Sequence, residues 1–468
     1  MSTLQVSRAL QLGVFATALL CAAGLWHAIA VLGLRLPLDP NEGWNAYHAA
    51  AAMGAGPLYP GPQSFMVDNY PPLSFYFVGT LGSLLGDNII AGRIVSLLSL
   101  GVVAFGIFAA ACRMGYERME ALFAVLFFVG GLLAFTDYVG MDDPQMLAHA
   151  IAMAGFLLLL REPRNTASVA VSALLFVLAA FVKHNVVAMA LGMTAWLAFY
   201  DRRAALRLVL FGLSVLLFGL VVFQAVYGTG LLAQLVSARL YSLSDQRSGL
   251  EAWLNWSFLP LAGLAALALR CRQDRFVHLC ALYALCGTAL GISFLGGAGV
   301  DANVLFDADI ALALSSALLL NRIAVGVRAP FLAAALGAPL LFAAWANADS
   351  DWRSAAYWLH PEQEAATLAQ SDIAFLAVRP GPALCEMQSF CYWADKPEGV
   401  DVFNIGEQFD TGARSDAALV RLIEARRFAV IQFDPDSPYS LGENVHNAVA
   451  RAYRLDHEDD FGSFYVPK

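Results

Sequence analysis

The chain has 468 residues, 59% hydrophobic and only 14% charged, with a mean hydropathy of +0.62. Soluble proteins carry about 25% charged residues, so this composition excludes an ordinary soluble enzyme and points to a polytopic membrane protein. The net charge of −9 belongs to the tail: up to Trp345 there are 18 Lys+Arg against 17 Asp+Glu, and after it 10 against 20. No basic patch suggests nucleic acid as a partner.

The fold class expected is an α-helical polytopic membrane protein with a small C-terminal α/β soluble domain, divided at 1–348 and 349–468. The first apolar run, residues 11–34, contains "HAIA". It is too long and continuous for a signal peptide and reads as an uncleaved span. Ten more spans are expected at 90–112, 119–136, 145–161, 167–182, 185–200, 206–227, 253–270, 276–296, 304–321 and 329–347, each of a length to cross a hydrocarbon core of roughly 30 Å. Between the first two lie an expected surface helix (Pro40–Met53), a Pro/Gly-rich stretch, and "NYPPLSFYFVGTLGSLLGD", which reads as a second, interfacial amphipathic helix.

Arginines at alternate turns put 13 positive charges on one side and five on the other. The positive-inside rule then places the N-terminus in the cytoplasm and, after eleven spans, the C-terminal domain outside. The outer side also holds 12 of the 17 acids of the membrane part. A polar site facing outward is the natural expectation.

In "LDPNEGWNAYH", Asp39, Pro40 and Glu42 form a capping-box-like helix start. Capping does not account for Asn45 and His48, which share a helix face with Glu42, while Trp44 and Tyr47 suit interfacial anchors. "MDDPQM" repeats the device with Asp142 and Asp143, just after Asp137. Acids converging from separate loops suit a general base, hydroxyl recognition or a divalent cation such as Mg or Mn at Asp142 and Asp143. Lys183 is the only lysine before the tail and sits beside His184 in a tight outer turn. A snorkelling lysine is the bland reading, and an anion-binding lysine facing phosphate the sharper one. Arg239 and Arg247, on an outer loop, are weaker candidates for the same anion. The last outer turn adds Asp301, Asn303, Asp307 and Asp309, and a buried acid there needs a partner.

From Asp349 the pattern changes. "DIAFLAV", "FAVIQFD" and "GSFYVP" read as strands, "DAALVRLIEARR" and "ENVHNAVARAYR" as helices. Cys385 and Cys391 can pair if the tail faces an oxidising compartment; the other five cysteines lie in or beside apolar runs and read as packing residues.

The order of one span, a long acidic outer loop, "YPPL" with Tyr70, a second acidic turn and a polar turn after the fifth span resembles the GT-C superfamily. The likeness is to its protein-mannosyltransferase-like (family 39) branch. "FVKHNVVAMALGMTAWL", "GVDANVLFDADIALAL" and "GPALCEMQSFCYWADKP" resemble bacterial members. The resemblance implies a membrane glycosyltransferase of the bacterial inner membrane. It would move a sugar from a polyprenyl-phosphate donor to a glycan, lipid or protein acceptor on the extracytoplasmic face, with inversion. The family usually opens its first outer helix with adjacent Asp-Glu, whereas this chain has Asn41-Glu42, so Asp39 or Glu42 takes the role of base. Lys183, with His184 and Arg239 or Arg247, would hold phosphate. Asp142 and Asp143 would position the acceptor or a cation. A lipid-linked oligosaccharide ligase or polymerase shares this chemistry. A transporter or flippase would more often show internal symmetry and helices broken at the midplane, and neither is visible.

Overall fold

In the computed structural model the described residues are 3–136, 138–236, 239–323, 328–347, 358–397, 399–434 and 441–468. The helices of the membrane part, in chain order, are α1 (Thr3–Val31), α2 (Pro40–Ala50), α3 (Leu73–Leu85), α4 (Asn88–Arg113), α5 (Arg118–Phe135) and α6 (Gln145–Arg161). They continue with α7 (Thr166–Val182), α8 (Ala188–Tyr200), α9 (Arg202–Tyr227), α10 (Gly230–Leu235), α11 (Leu243–Arg270), α12 (Arg275–Phe294), α13 (Phe306–Ile323) and α14 (Arg328–Asn347).

Each of the eleven expected spans falls on one of these helices. Seven stretches among the described residues are long and apolar enough to cross a membrane. The segments on α6, α7 and α8, and Pro330–Pro339 on α14, are apolar but shorter. Eleven crossings are therefore not established by length alone. The span on α13 is 94% buried and forms the centre of the bundle, whereas that on α9 is 6% buried and lies at its edge.

Side chains before the helices explain many of the starts. Asp39, Asp87, Asn165, Asp201 and Asp274 each accept a hydrogen bond from a backbone N–H of the following first turn, filling donors the helix itself leaves open. The arginine-bearing turns gather at one end of the bundle. Arg113 donates to Leu157 O, Arg207 to Thr166 Oγ1, Arg322 pairs with Asp274, and Asn321 donates to Glu120.

The C-terminal part contains α15 (Gln363–Ala377), β1 (Ala383–Cys385), α16 (Gln388–Trp393), α17 (Val402–Asp410), α18 (Ala417–Glu424), β2 (Val430–Phe433), α19 (Glu443–Ala452), β3 (Tyr453–Asp459) and β4 (Gly462–Pro467). The sheet runs β1-β2-β4-β3, with β1 parallel to β2 and the remaining pairs antiparallel. Cys385 and Cys391 are joined by a disulfide. "DIAFLAV" is not a strand: it completes α15, which buries Ala366, Ala369, Asp372, Ile373 and Leu376 at helical spacing. The expected boundary at 348/349 and Asp137 lie outside the described residues.

The expected surface helix at Pro40–Met53 is the main departure. As α2 it buries every residue from Glu42 to Ala49. Trp44 and Tyr47 do not anchor at an interface: Trp44 Nε1 donates to Val67 O and Asp401 Oδ2, and Tyr47 Oη to Lys396 O. The reason is that α16 closes over α2. A Cβ on Gly43 would stand 2.1 Å from Ser389 N and 2.3 Å from Gln388 C. Only a residue without a side chain permits this approach.

Gly43→Ala should therefore loosen the C-terminal part from α2 at a cost of about 1–3 kcal/mol. Limited proteolysis of the detergent-purified protein should then cut the C-terminal part faster. An unchanged digestion pattern would contradict the close approach.

Candidate active site

At the end of the bundle opposite the arginine-bearing turns, the acids of the two outer stretches meet. Glu42 and Arg93 are both fully buried. Arg93 Nε donates to Glu42 Oε1 at 2.7 Å and Arg93 Nη2 to Oε2 at 2.6 Å. Glu42 also accepts from Leu38 N at 3.0 Å and Asp142 N at 3.1 Å. The rest of the guanidinium donates to Leu34 O and Leu36 O. This two-pronged geometry is the strongest form of carboxylate recognition, and it occupies both oxygens of Glu42. Asn45 adds a second stitch by donating to Asp142 O at 2.7 Å.

Asp39 is the N-cap, its Oδ1 accepting from Asn41 N at 2.8 Å. Partial burial pushes its carboxyl up to about 6; the Asn41 N–H works against that shift, and the charges of Glu42 and Asp143 add to it. Asp142 is held well above the usual carboxylate range by burial, then by Glu42 and Asp143. His48 is pushed down to about 4 by burial, against the pull of Trp44 O. It is therefore neutral at neutral pH and supplies no positive charge.

Lys183 closes α7, and its Nζ donates to Asp143 Oδ2 at 2.9 Å. The same Nζ lies 3.9 Å from the centroid of the Tyr70 ring. Burial alone would lower the lysine, but Asp143 and Tyr70 outweigh it and hold it charged. Asp143 Oδ1 accepts from Gln145 N at 2.7 Å, so both of its oxygens are engaged. Asp142 Oδ2 is buried without a donor, and its carboxylate lies so close to α4 that a Cβ on Gly92 would meet Oδ1 at 1.8 Å. Among the described residues, Asp142 and Asp143 do not form part of any group of three convergent metal-ligating atoms.

Two adjoining hollows open beside these groups. The larger, about 270 Å³, is walled by Lys183, His184, Asn185, Leu235 and Tyr241. The other is walled by Pro40, Asn41, Trp44 and Tyr138, and roofed from the C-terminal part by Glu386, Gln388, Asp401 and Asn404. Asn69, Tyr70, Arg239, Gly299 and Asn303 line both. The roof residues went unrecognised in the sequence because nothing in a tail motif tells which membrane loop it will cover. Asp401 is buried, accepts from Trp44 Nε1 at 3.1 Å and Asn404 Nδ2 at 2.7 Å, and is pushed up to about 6 by its burial.

The remaining expected residues divide. Asn303 reaches the hollows and its carbonyl accepts from Gln145. Asp307 instead meets Tyr283 Oη at 2.7 Å, and Asp309 meets Trp253 Nε1 at 2.7 Å, both inside the bundle. Arg247 is exposed and pairs with Glu251, so the structure does not bring it to the hollows.

Residues 69–227 match the family model described as dolichyl-phosphate-mannose-protein mannosyltransferase. That stretch includes Tyr70, Arg93, Asp142, Asp143 and Lys183. The structure of ArnT from Cupriavidus metallidurans in the apo state superposes with a TM-score of 0.62 at 13% identity, covering 96% of this chain and 97% of that one. The same protein bound to undecaprenyl phosphate gives 0.59 at 12% identity, with the same coverages. The chain therefore shares the fold of ArnT from Cupriavidus metallidurans over nearly its whole length. No curated protein matches the chain by sequence. The match to the family model begins after α2 and so does not include Asp39 or Glu42.

Replacing Arg93 by Met would leave Glu42 buried and unpaired, which costs about 3–5 kcal/mol in comparable sites. The detergent-purified variant should melt well below wild type. An unaltered melting temperature would mean that the pair is not what fixes α2.

Proposed function

We propose that this protein is a membrane glycosyltransferase of the bacterial inner membrane. It takes a sugar from a polyprenyl-phosphate donor and transfers it to an acceptor hydroxyl on the extracytoplasmic face. The single observation that carries this reading is buried Lys183, paired with Asp143, on the wall of a hollow that adjoins a second one reaching the start of α2. An ammonium has three N–H donors, and Asp143 takes one of them. The others suit a phosphate lying toward Tyr70, with Arg239 on the shared wall adding a second cation.

In the proposed step the acceptor oxygen attacks the anomeric carbon as the bond from that carbon to the phosphate oxygen breaks. The bonding pair leaves with the polyprenyl phosphate, whose charge Lys183 and Arg239 stabilise. The acceptor proton passes to Asp39. A single displacement inverts the anomeric centre. Of the two acids expected as base, Asp39 is favoured, because both oxygens of Glu42 are held by Arg93 while Asp39 keeps a carboxylate oxygen uncommitted to its cap. A base with its pKa raised toward the working pH is suited to general-base catalysis. The acceptor would enter beneath Asp401, Asn404 and Gln388. The orientation that puts this end outside follows from the arginines at the other end. The sugar could be a hexose or a pentose; a polyprenyl-phosphate-sugar donor assay with membrane extracts as acceptor tests the class.

Two outcomes follow. Asp39→Asn should lower turnover by about 10²- to 10⁴-fold while melting like wild type, and Lys183→Ala should chiefly weaken binding of the polyprenyl-phosphate donor. Normal turnover in both would sink the site. Because Asp39 must be deprotonated to act, kcat/KM should be level above pH about 6 and fall as pH drops below it, its folded carboxyl being raised to about that value. A rate unaffected between pH about 7 and about 5 would exclude a base raised to about 6, since only a carboxyl near its ordinary value of about 4 would still be ionised there.

A further inference from the structure

On the C-terminal part, on the face where α15 covers the sheet, three ligand-type side chains converge. They are Asp372 of α15 and His457 and Asp459 of β3, with one donor atom of each lying within 4.8 Å of the others. We propose that Asp372, His457 and Asp459 form a divalent transition-metal site, best suited to Zn²⁺, that fastens α15 to β3.

Three observations carry this. The first is distance. His457 Nε2 lies 3.3 Å from Asp372 Oδ1 and 3.7 Å from Asp459 Oδ2. A charge-assisted hydrogen bond between such groups closes to about 2.7–2.9 Å. Two ligands on a tetrahedral Zn²⁺, each about 2.0–2.1 Å from the ion, stand roughly 3.3 Å apart. The Nε2–Oδ1 contact is thus a long hydrogen bond, and its length matches the edge of a coordination shell.

The second is an orphaned atom. Asp372 is 2% exposed, and its Oδ2 is buried with no hydrogen-bond donor. A buried carboxylate oxygen without a partner is expensive, and a cation held by Asp372 removes the cost.

The third is orientation. The His457 ring stacks on Phe464 with centroids 4.5 Å apart and planes 7° from parallel, and Phe375 meets it edge-on at 4.7 Å. Its Nδ1 faces Asp456 Oδ2 at 3.3 Å, the outer carboxylate that commonly fixes a ligating imidazole so that its other nitrogen faces the metal. The register of β3 on β4 shifts between Leu455 and His457. This shift sets His457 opposite Phe464 and under α15. His457 and Asp459 remain partly exposed, which leaves room for water as a fourth ligand. One imidazole and two carboxylates fit Zn²⁺ or Mn²⁺ better than Ca²⁺, which prefers six or more oxygens.

The experiment uses the full chain in detergent, stripped with a chelator and dialysed. Titration calorimetry with ZnCl₂ should show one equivalent bound at the site, and zinc should raise the melting temperature. His457→Ala should weaken that binding by roughly 100-fold or more, since even outer partners of a metal ligand are worth about 10- to 100-fold. Asp459→Asn, on an exposed strand and so tolerated by the fold, should weaken it in the same direction. Zinc-edge X-ray absorption should report nitrogen and oxygen neighbours and no sulfur. No stoichiometric zinc binding to the wild-type chain, or equal binding by the wild type and both variants, would overturn the proposal. The readout does not use sugar transfer, so it stands or falls independently of the proposed function.

Discussion

The Glu42–Arg93 pair is the constraint on which the rest of this end of the molecule depends. Both side chains are sealed from water, and isolated charges could not survive there. They persist because every donor and acceptor around them is matched: two prongs between them, two backbone N–H groups on the carboxylate, and the Leu34 and Leu36 carbonyls on the guanidinium. These partners come from the loop after α1, from α2, from α4 and from the turn before α6. One ion pair thus sets the entry of α2, and with it the position of Asp39 at its start. It also anchors the backbone of Asp142, so that the next residue, Asp143, is held in place to meet Lys183.

The depth of Lys183 follows from helix length. α7 has 17 residues and α8 only 13, so α8 rises about 20 Å, short of a hydrocarbon core of roughly 30 Å. In the proposed orientation the turn joining them is therefore recessed, and a lysine in a recessed turn must be paired or face a polar cavity. Lys183 does both. In the lower dielectric of such a recess, charge interactions are stronger than at an open surface. Within the proposed reaction, that is where cations gain most from meeting a departing phosphate.

How much of this was legible in the sequence depends on the range of the information. Helices were legible because apolar length and capping are local: Asp39 capped α2 as its spacing required, and α3 began where "YPPL" ended. That Lys183 would need a partner was legible for the same reason, since a lone Lys in an apolar chain needs a cause wherever the fold puts it, and it pairs with Asp143. The partners were not. Nothing near Arg93 in the sequence distinguishes it from an interfacial arginine, because its partner lies 51 residues away. Asp307 looked like a residue at an outer mouth, yet it turns inward to Tyr283. α2 read as a surface helix because a helix with Trp, Tyr and His on it suits an interface equally well. The close approach at Gly43 became visible only in the structure. "DIAFLAV" misled because short apolar runs fit either period until the alanines upstream extend the helical one.

The C-terminal part gives the hollow its asymmetry. Its roof is acidic and amide-rich, with Glu386, Asp401, Asn404 and Gln388, whereas the wall below carries Lys183 and Arg239. The disulfide between Cys385 and Cys391 brackets Glu386 and Gln388, and Trp44 ties Asp401 to α2, so this roof is fixed relative to the proposed base. A field that is positive at one end and negative at the other sorts ligands before any contact is made. In the proposed reaction a lipid phosphate is drawn to the lower wall and repelled by the roof. An acceptor rich in neutral hydroxyls finds hydrogen-bonding groups above, with Arg239 shared between the two hollows and Lys183 on the wall of the larger one alone. In the proposed reaction the two substrates are then sorted by charge, and Asp39, next to Pro40 and Asn41 of the roofed hollow, takes up the acceptor proton.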